Sequence, residues 1–425
     1  MEKNIIKDDI LKESYIKLKH KTGLTILLYP MEGYSTATAI FATKYGSIDR
    51  TFKKKTDREF TTVPDGIAHY LEHKLFENSD GVDTFELFSK TGASVNAFTS
   101  FDKTAYHFSC ADNFEESLKI LLNFVQSPYF TDETVKKEQG IIGQEIKMYE
   151  DDPNWRVFLN CLENMYHHHA IRVNIAGTVE SIAKINKDIL YECYNTFYNM
   201  NNMVLIISGF FDVDRAIKVI ESEIKESDPV EIERKLEDEP QNVVKPVVRI
   251  ALPVSQPQFC IGYKLPPLSG LDMLRAKFEF QVACDLLVGE GSNLYKEFYD
   301  SGLVSGGNID YEILCGNGYF SLCFTGESAD PEKVLSKLNL EIDRKMKSGF
   351  SDEDFRVVKN ATYGYCMNFS NSPRNLSLSL LNSFVEGYNL YDNINIVRNL
   401  QLDDVERRLK SIDMQNLTLS VVDPV

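Results

Sequence analysis

The chain repeats itself, and that repetition limits what it can fold into more than any other feature. Ala111-Asp112 leads through an amphipathic stretch to Phe130-Thr131-Asp132-Glu133, and Pro153 follows 23 residues after Phe130. In the second half, Ala329-Asp330 leads to Phe350-Ser351-Asp352-Glu353, and Pro373 follows 23 residues after Phe350. A second register agrees: Gly81, Phe88 and Gly92 match Gly291, Phe298 and Gly302 at a constant offset of 210. Two registers supporting one duplication point to two copies of one supersecondary unit. Between the copies lies an acidic stretch bounded by prolines, 228–246, which reads as a linker. The expected division is an N-terminal domain 1–227, the linker 228–246, and a homologous C-terminal domain 247–425.

Each copy alternates strand and helix signals. Thr25 to Tyr29, Ala37 to Thr43, Tyr106 to Cys110 and Met203 to Ser208 read as strands, as do Phe259 to Tyr263 and Tyr319 to Phe324. Asn199 to Asn202 reads as a turn before a strand. The pattern predicts an α+β fold, a sheet with helices packed on one face, built twice.

Composition is consistent with a folded, multidomain chain: 425 residues, 43% hydrophobic. Eight cysteines are scattered with no C-x-x-C pair, which suggests reduced thiols and no disulfide framework. The N-terminal residues contain no apolar signal core, and no run is long enough to cross a bilayer, so the expected location is cytoplasmic, with no membrane partner. A net charge of −17 argues against nucleic acid as a partner. The same charge could favour basic peptides, but many soluble proteins are simply acidic.

His69-Tyr70-Leu71-Glu72-His73 carries the chemistry. On a helix, positions i, i+3 and i+4 share a face, so His69, Glu72 and His73 can converge on one ion. Pro64-Asp65 can start that helix, Ile67, Ala68, Leu71, Leu75 and Phe76 give its apolar rhythm, and Asn78 to Gly81 ends it. Two imidazoles suit zinc, and the neighbouring Glu72 can take a proton from water activated by the metal. The competing reading is a pair of ordinary surface or core histidines. A second acidic feature weighs against it. Thr131 to Tyr149 reads as a helix with an apolar stripe through Val135, Ile141, Ile142, Met148 and Tyr149, interrupted by Glu138 and Glu145. A carboxylate facing a core is costly unless it meets a cation or a hydrogen-bond network. A metal would satisfy one of the two glutamates, and the other could orient a ligand.

These pieces, together with Gly92-Ala93-Ser94-Val95-Asn96-Ala97-Phe98-Thr99, resemble the pitrilysin family of zinc peptidases, which includes insulin-degrading enzyme and mitochondrial processing peptidase. The resemblance spans nearly the whole chain, and its closest kind is the two-subunit branch. It implies one Zn2+ per chain held by His69, His73 and Glu145, with Glu72 as general base and Glu138 as a catalytic residue that orients a ligand. It implies that Asn96, Ala97 and Phe98 lie on an exposed edge strand that hydrogen-bonds an extended peptide. It also implies that the two domains make one half-shell of a clamshell, so that a second half-shell is needed. The motif has no counterpart in the second copy: at offset 210, His69, Glu72 and His73 fall on Glu279, Val282 and Ala283.

One part of the family pattern is missing. Catalytic members carry an Arg and a Tyr seven apart in the second half, and here those positions hold Phe298 or Tyr299, and Ser305. A group that stabilises the developing oxyanion is worth a few kcal/mol of barrier. The resemblance therefore implies a homologous partner that supplies both residues, a heterodimer rather than a homodimer. Two functions follow: a zinc endopeptidase subunit cutting peptides or small unfolded proteins, or a weakly catalytic subunit that holds zinc and peptide. His167-His168-His169 reads as a solvated loop, since adjacent side chains diverge. Gly289-Glu290-Gly291-Ser292 lacks the Lys of a phosphate loop.

Overall fold

A computed structural model describes residues 2–425, save the side chain of Phe369. The chain forms two compact units. The first comprises residues 1–146, 174–235 and 368–390, and the second comprises 147–173, 236–367 and 391–425.

The first unit is built on a seven-stranded sheet in the order β1-β2-β3-β9-β4-β8-β7. Its strands are β1 (Glu2–Asp8), β2 (Glu13–Lys19), β3 (Thr25–Pro30), β4 (Ala37–Thr43), β7 (Ser94–Thr99), β8 (Thr104–Cys110) and β9 (Met203–Gly209). A small sheet joins β5 (Thr51–Lys54), β6 (Thr61–Thr62) and β10 (Ile232–Arg234). The stretch read as a linker thus contains a strand, paired antiparallel with β5. The second unit has a five-stranded sheet in the order β11-β15-β12-β14-β13. These strands are β11 (Val247–Leu252), β12 (Gln258–Leu265), β13 (Asp310–Gly316), β14 (Tyr319–Glu327) and β15 (Leu417–Pro424).

The duplication is visible in the pairing. In the first sheet β3 runs parallel to β9, which is antiparallel to β4, then β8, then β7. In the second, β11 runs parallel to β15, which is antiparallel to β12, then β14, then β13. The hairpin β1–β2 is the addition that extends the first sheet.

One face of each sheet carries the large apolar core. In the first unit Ile26, Leu28, Phe41, Tyr106, Phe108, Leu205 and Ile207 pack with α1 (Ile67–Lys74), α2 (Thr84–Thr91) and α3 (Phe114–Val125). In the second, Phe259, Ile261, Tyr263, Phe320, Leu322 and Phe324 pack against the helices Gly270–Val288 and Pro331–Ser348. This is the expected sheet with helices on one face. A helix also crosses the other face of each sheet, and the sequence supplies it from the opposite half. Pro373–Glu386 lies on β9 and β4 of the first unit, while α5 (Pro153–Met165) lies on β12 and β15 of the second. Small residues make that close approach affordable: Ser208 meets Ser377 at 2.7 Å, and Gly262 lies beneath α5, where a Cβ would stand 2.6 Å from Cys161 Sγ. No described helix is long and apolar enough to cross a membrane.

Candidate metal centre

The helix α1 begins where the sequence suggests, but its cap is Gly66, held at φ 89° in the left-handed region. A side chain there is also excluded by space, because a Cβ would stand 2.3 Å from the carbonyl oxygen of Ala176. Ile67, Ala68, Tyr70 and Leu71 bury one side of α1 in the core. The opposite side presents His69, Glu72 and His73, the first two nearly buried and His73 a quarter exposed.

The helix α4 (Asp132–Asp151) brings the glutamates. Its buried face runs through Val135, Glu138, Ile142, Gly143 and Ile146, whereas Ile141 and Met148, expected in the apolar stripe, are 50% and 61% exposed. Burial follows the 3–4 spacing of the first set, so Glu138 sits inside the packed face. The Tyr70 hydroxyl donates to the Val135 carbonyl and ties the first turn of α4 to α1. The sequence reading gave Tyr70 no part, and its position between the motif residues is the signal that could have found it.

The side chains converge. His69 Nε2 lies 3.6 Å from Glu145 Oε1, and His73 Nε2 lies 3.5 Å from Glu145 Oε2. One donor atom from each of the three falls within 4.8 Å of the others. Glu138 stands behind His73, with Oε1 3.0 Å from Nδ1. With Nδ1–H donating to that carboxylate, Nε2 is the nitrogen that faces Glu145 and the one that can ligate a metal once its proton is lost. The Nδ1 of His69 is buried without a hydrogen-bond partner, so no such support lies behind that ring. Thr99, at the end of β7, donates its hydroxyl to Glu72 Oε2 at 2.8 Å.

Charge decides what this cluster wants. Burial works against a charged His73, but hydrogen bonds to Glu138 and Glu145 outweigh it and hold the imidazolium up to about 10. Hydrogen bonds from His69 and His73 hold the Glu145 carboxyl well below the usual carboxylate range. Three carboxylates around two imidazoles make a site that demands positive charge. Two imidazole nitrogens and a carboxylate oxygen are a donor set that fits zinc with a position left open.

A cavity of about 840 Å³ opens beside the cluster, lined by Glu72, His73 and Glu138 and by Asn96 and Ala97 of β7, with Phe76, Phe85 and Ile141 among its apolar walls. Among the described residues, β7 is the last strand of its sheet and pairs with β8 alone. Phe98 stands near His107 of β8, with ring centroids 6.3 Å apart. In the second unit Phe298 is buried in the core, Tyr299 is 64% exposed, and Ser305 Oγ meets Gln256 at 2.9 Å. None of the three is a cation, and no phenol stands at position 305. His169 of the histidine run is buried, with Nε2 2.9 Å from the Asn317 carbonyl oxygen, and the Glu239 carboxylate accepts the backbone N–H groups of His167, His168 and His169.

Comparison with known proteins identifies relatives of the whole chain. The family model described as insulinase (peptidase family M16) matches residues 61–179, and the model described as peptidase M16 inactive domain matches residues 184–362. The Bacillus subtilis (strain 168) protein named uncharacterized zinc protease YmfH is 37% identical over 420 residues, which cover 97% of each chain. The beta subunit of the mitochondrial-processing peptidase of Caenorhabditis elegans is 28% identical over 170 residues, 38% of this chain and 37% of that one. Among solved structures, an M16-like peptidase from Alicyclobacillus acidocaldarius superimposes with a TM-score of 0.93 at 33% identity, covering 97% of this chain and 98% of the other. Identity of this order, sustained from end to end in both sequence and fold, places the chain in the M16 family of insulinase- and pitrilysin-like zinc peptidases.

Proposed function

We propose that the chain is the zinc-bearing subunit of a peptidase, holding one Zn2+ through His69, His73 and Glu145 and hydrolysing peptide bonds in extended or unfolded chains. The observation that carries this reading is the convergence of those three side chains beside a cavity wall that includes Glu72. Bound there, the ion would act as a Lewis acid and lower the pKa of water. Glu72 accepts the proton, and Thr99 fixes one of its oxygens. Glu138 keeps His73 in the ligating tautomer. The free edge of β7, through Asn96, Ala97 and Phe98, adds a peptide strand and lays its scissile bond along the cavity.

Phe298, Tyr299 and Ser305 favour a homologous partner that completes the site, because none of them can stabilise a developing oxyanion as an Arg and a Tyr would. The same residues support a second reading, a subunit that binds zinc and peptide while cleaving little. Metal analysis and a quenched-peptide assay, with and without a homologous partner chain, test both. The expected result is one zinc per chain, strongly reduced in His73→Ala and Glu145→Ala, with cleavage that needs the partner. Unchanged zinc in both variants sinks the metal assignment. Full activity of the isolated chain, unaltered by a partner, sinks the composite site.

A further inference from the structure

A second cluster lies in the second unit and shares no residue with the metal centre. Cys260 is on β12 and Cys323 on β14, and the pairing sets Gly262 opposite Cys323. Residues 260 and 262 share a face, as do directly paired positions, so both thiols point to the same side of the sheet. That is the side crossed by α5, which brings Cys161. All three side chains are fully buried, and their sulfurs lie within 4.8 Å of one another. No other cysteine joins a cluster of three among the described residues.

We propose that Cys161, Cys260 and Cys323 form a structural site for a soft, thiophilic metal ion of three-coordinate habit, Cu(I) in preference to Zn2+. Three sulfurs each about 2.3 Å from a common ion would stand about 4 Å apart. The cluster is drawn together to that scale while its thiols remain free. Gly262 keeps the space between them open: a Cβ there would meet Met165 Cε at 2.1 Å and Cys161 Sγ at 2.6 Å.

The donor set chooses the ion. Thiolates select soft metals, whereas a structural zinc takes four ligands, and no imidazole or carboxylate belongs to this cluster. Cys161 Sγ also donates to the Thr418 carbonyl oxygen, 3.6 Å away, which is a hard ligand. Ligation takes thiolates, so loading the ion releases the thiol protons to solvent.

The position explains what such an ion would do. The helix α5 comes from the first half of the sequence but belongs to the second unit, and Cys161 is the point where a metal would fasten it to β12 and β14. A site this enclosed is loaded as the chain folds.

The test uses full-length protein, reduced and kept anaerobic, refolded with Cu(I) and separately with Zn2+. Metal content, sulfur-to-metal charge-transfer absorption and X-ray absorption are the readouts. The expected result is one Cu(I) per chain with three sulfur neighbours, a raised Tm, and the same uptake in His73→Ala. Cys161→Ser and Cys323→Ala should each lower Cu(I) affinity at least about a hundredfold, as loss of one ligand in three requires, and Cys315→Ser should not. Wild-type protein that takes up no sulfur-coordinated Cu(I) overturns the proposal, and this arm decides the matter even if a cysteine variant fails to fold. Folded Cys161→Ser and Cys323→Ala that keep wild-type uptake overturn it too. Tighter binding of Zn2+ than of Cu(I) to the three sulfurs overturns the choice of ion.

Discussion

Glu138 offers the most discriminating test of how the first centre is built, because it touches a ligand without being one in this account. Its Oε1 lies 3.0 Å from His73 Nδ1, and its side chain is only 11% exposed, so solvent screens the contact little. A hydrogen bond to a charged group contributes about 1.5–3 kcal/mol and a neutral one about 1. Glu138→Gln keeps an acceptor and loses the charge, a difference of about 1 kcal/mol, or roughly fivefold in zinc affinity. Glu138→Ala leaves the N–H of His73 without its acceptor in a largely buried site, costing about 2–3 kcal/mol, or about 30- to 150-fold. Glu145→Ala removes a donor from the metal and should exceed both. Zinc dissociation constants from chelator competition on the four proteins, with Tm to confirm folding, give the order directly. Wild-type affinity in Glu138→Ala would refute the orienting role. A loss in Glu138→Ala equal to that in Glu145→Ala would make Glu138 a ligand.

Two further predictions rest on neighbouring contacts. Tyr70→Phe removes the tie between α1 and α4; a buried hydrogen bond of about 1 kcal/mol should be lost from unfolding free energy, with zinc affinity down a few-fold, and unchanged values for both would show the tie to be idle. His107 is depressed to about 4, by burial first and by Arg374 second. An unfolded histidine titrates near 6.5, so between these values the unfolded chain binds the extra proton and stability falls as pH falls, with the full contribution present above about 6.5 and gone below about 4. Discounted for partial exposure, the loss is about 2 kcal/mol, and denaturant unfolding of wild type against His107→Phe from pH 7 to pH 4 should show the variant with the flatter profile.

Much of the fold could be read from the residues because each signal was local. The apolar run of β4 gives Ala37–Thr43 without remainder, and the helix expected from Thr131 to Tyr149 runs Asp132–Asp151. The hairpin of β1 and β2 escaped notice because its strands are rich in charged residues: β1 is mostly exposed, and β2 buries only Tyr15 and Leu18. The crossing of α5 and the helix Pro373–Glu386 to the sheets of the opposite halves was not legible either. A repeat shows that two helices correspond, and nothing in their own periodicity says which sheet each will cover. The determinants lie far off in sequence, in Gly262 under Cys161 and in Ser208 against Ser377.

The site divides in the same way. The spacing of His69, Glu72 and His73 shows that they share a face, and the cost of burying carboxylates singles out Glu138 and Glu145. The spacing alone does not say which glutamate faces both histidines. In the structure Glu145 does, and Glu138 lies behind His73. Thr99 and Tyr70 act through contacts 27 and 65 residues distant, beyond any motif. The cysteine trio is the extreme case: Cys161, Cys260 and Cys323 have no spacing signature and meet only when α5 crosses the second sheet.

The central claim, that this chain supplies the metal and the base for peptide hydrolysis, is tested most directly by Glu72→Gln. Zinc content and cleavage of a quenched peptide are measured on the same preparations, with the proposed homologous partner chain added. One zinc per chain is expected in both proteins, with hydrolysis reduced at least about a hundredfold in the variant, since Gln keeps the shape but takes no proton at neutral pH. Cleavage by Glu72→Gln at the wild-type rate would contradict it and place the catalyst elsewhere.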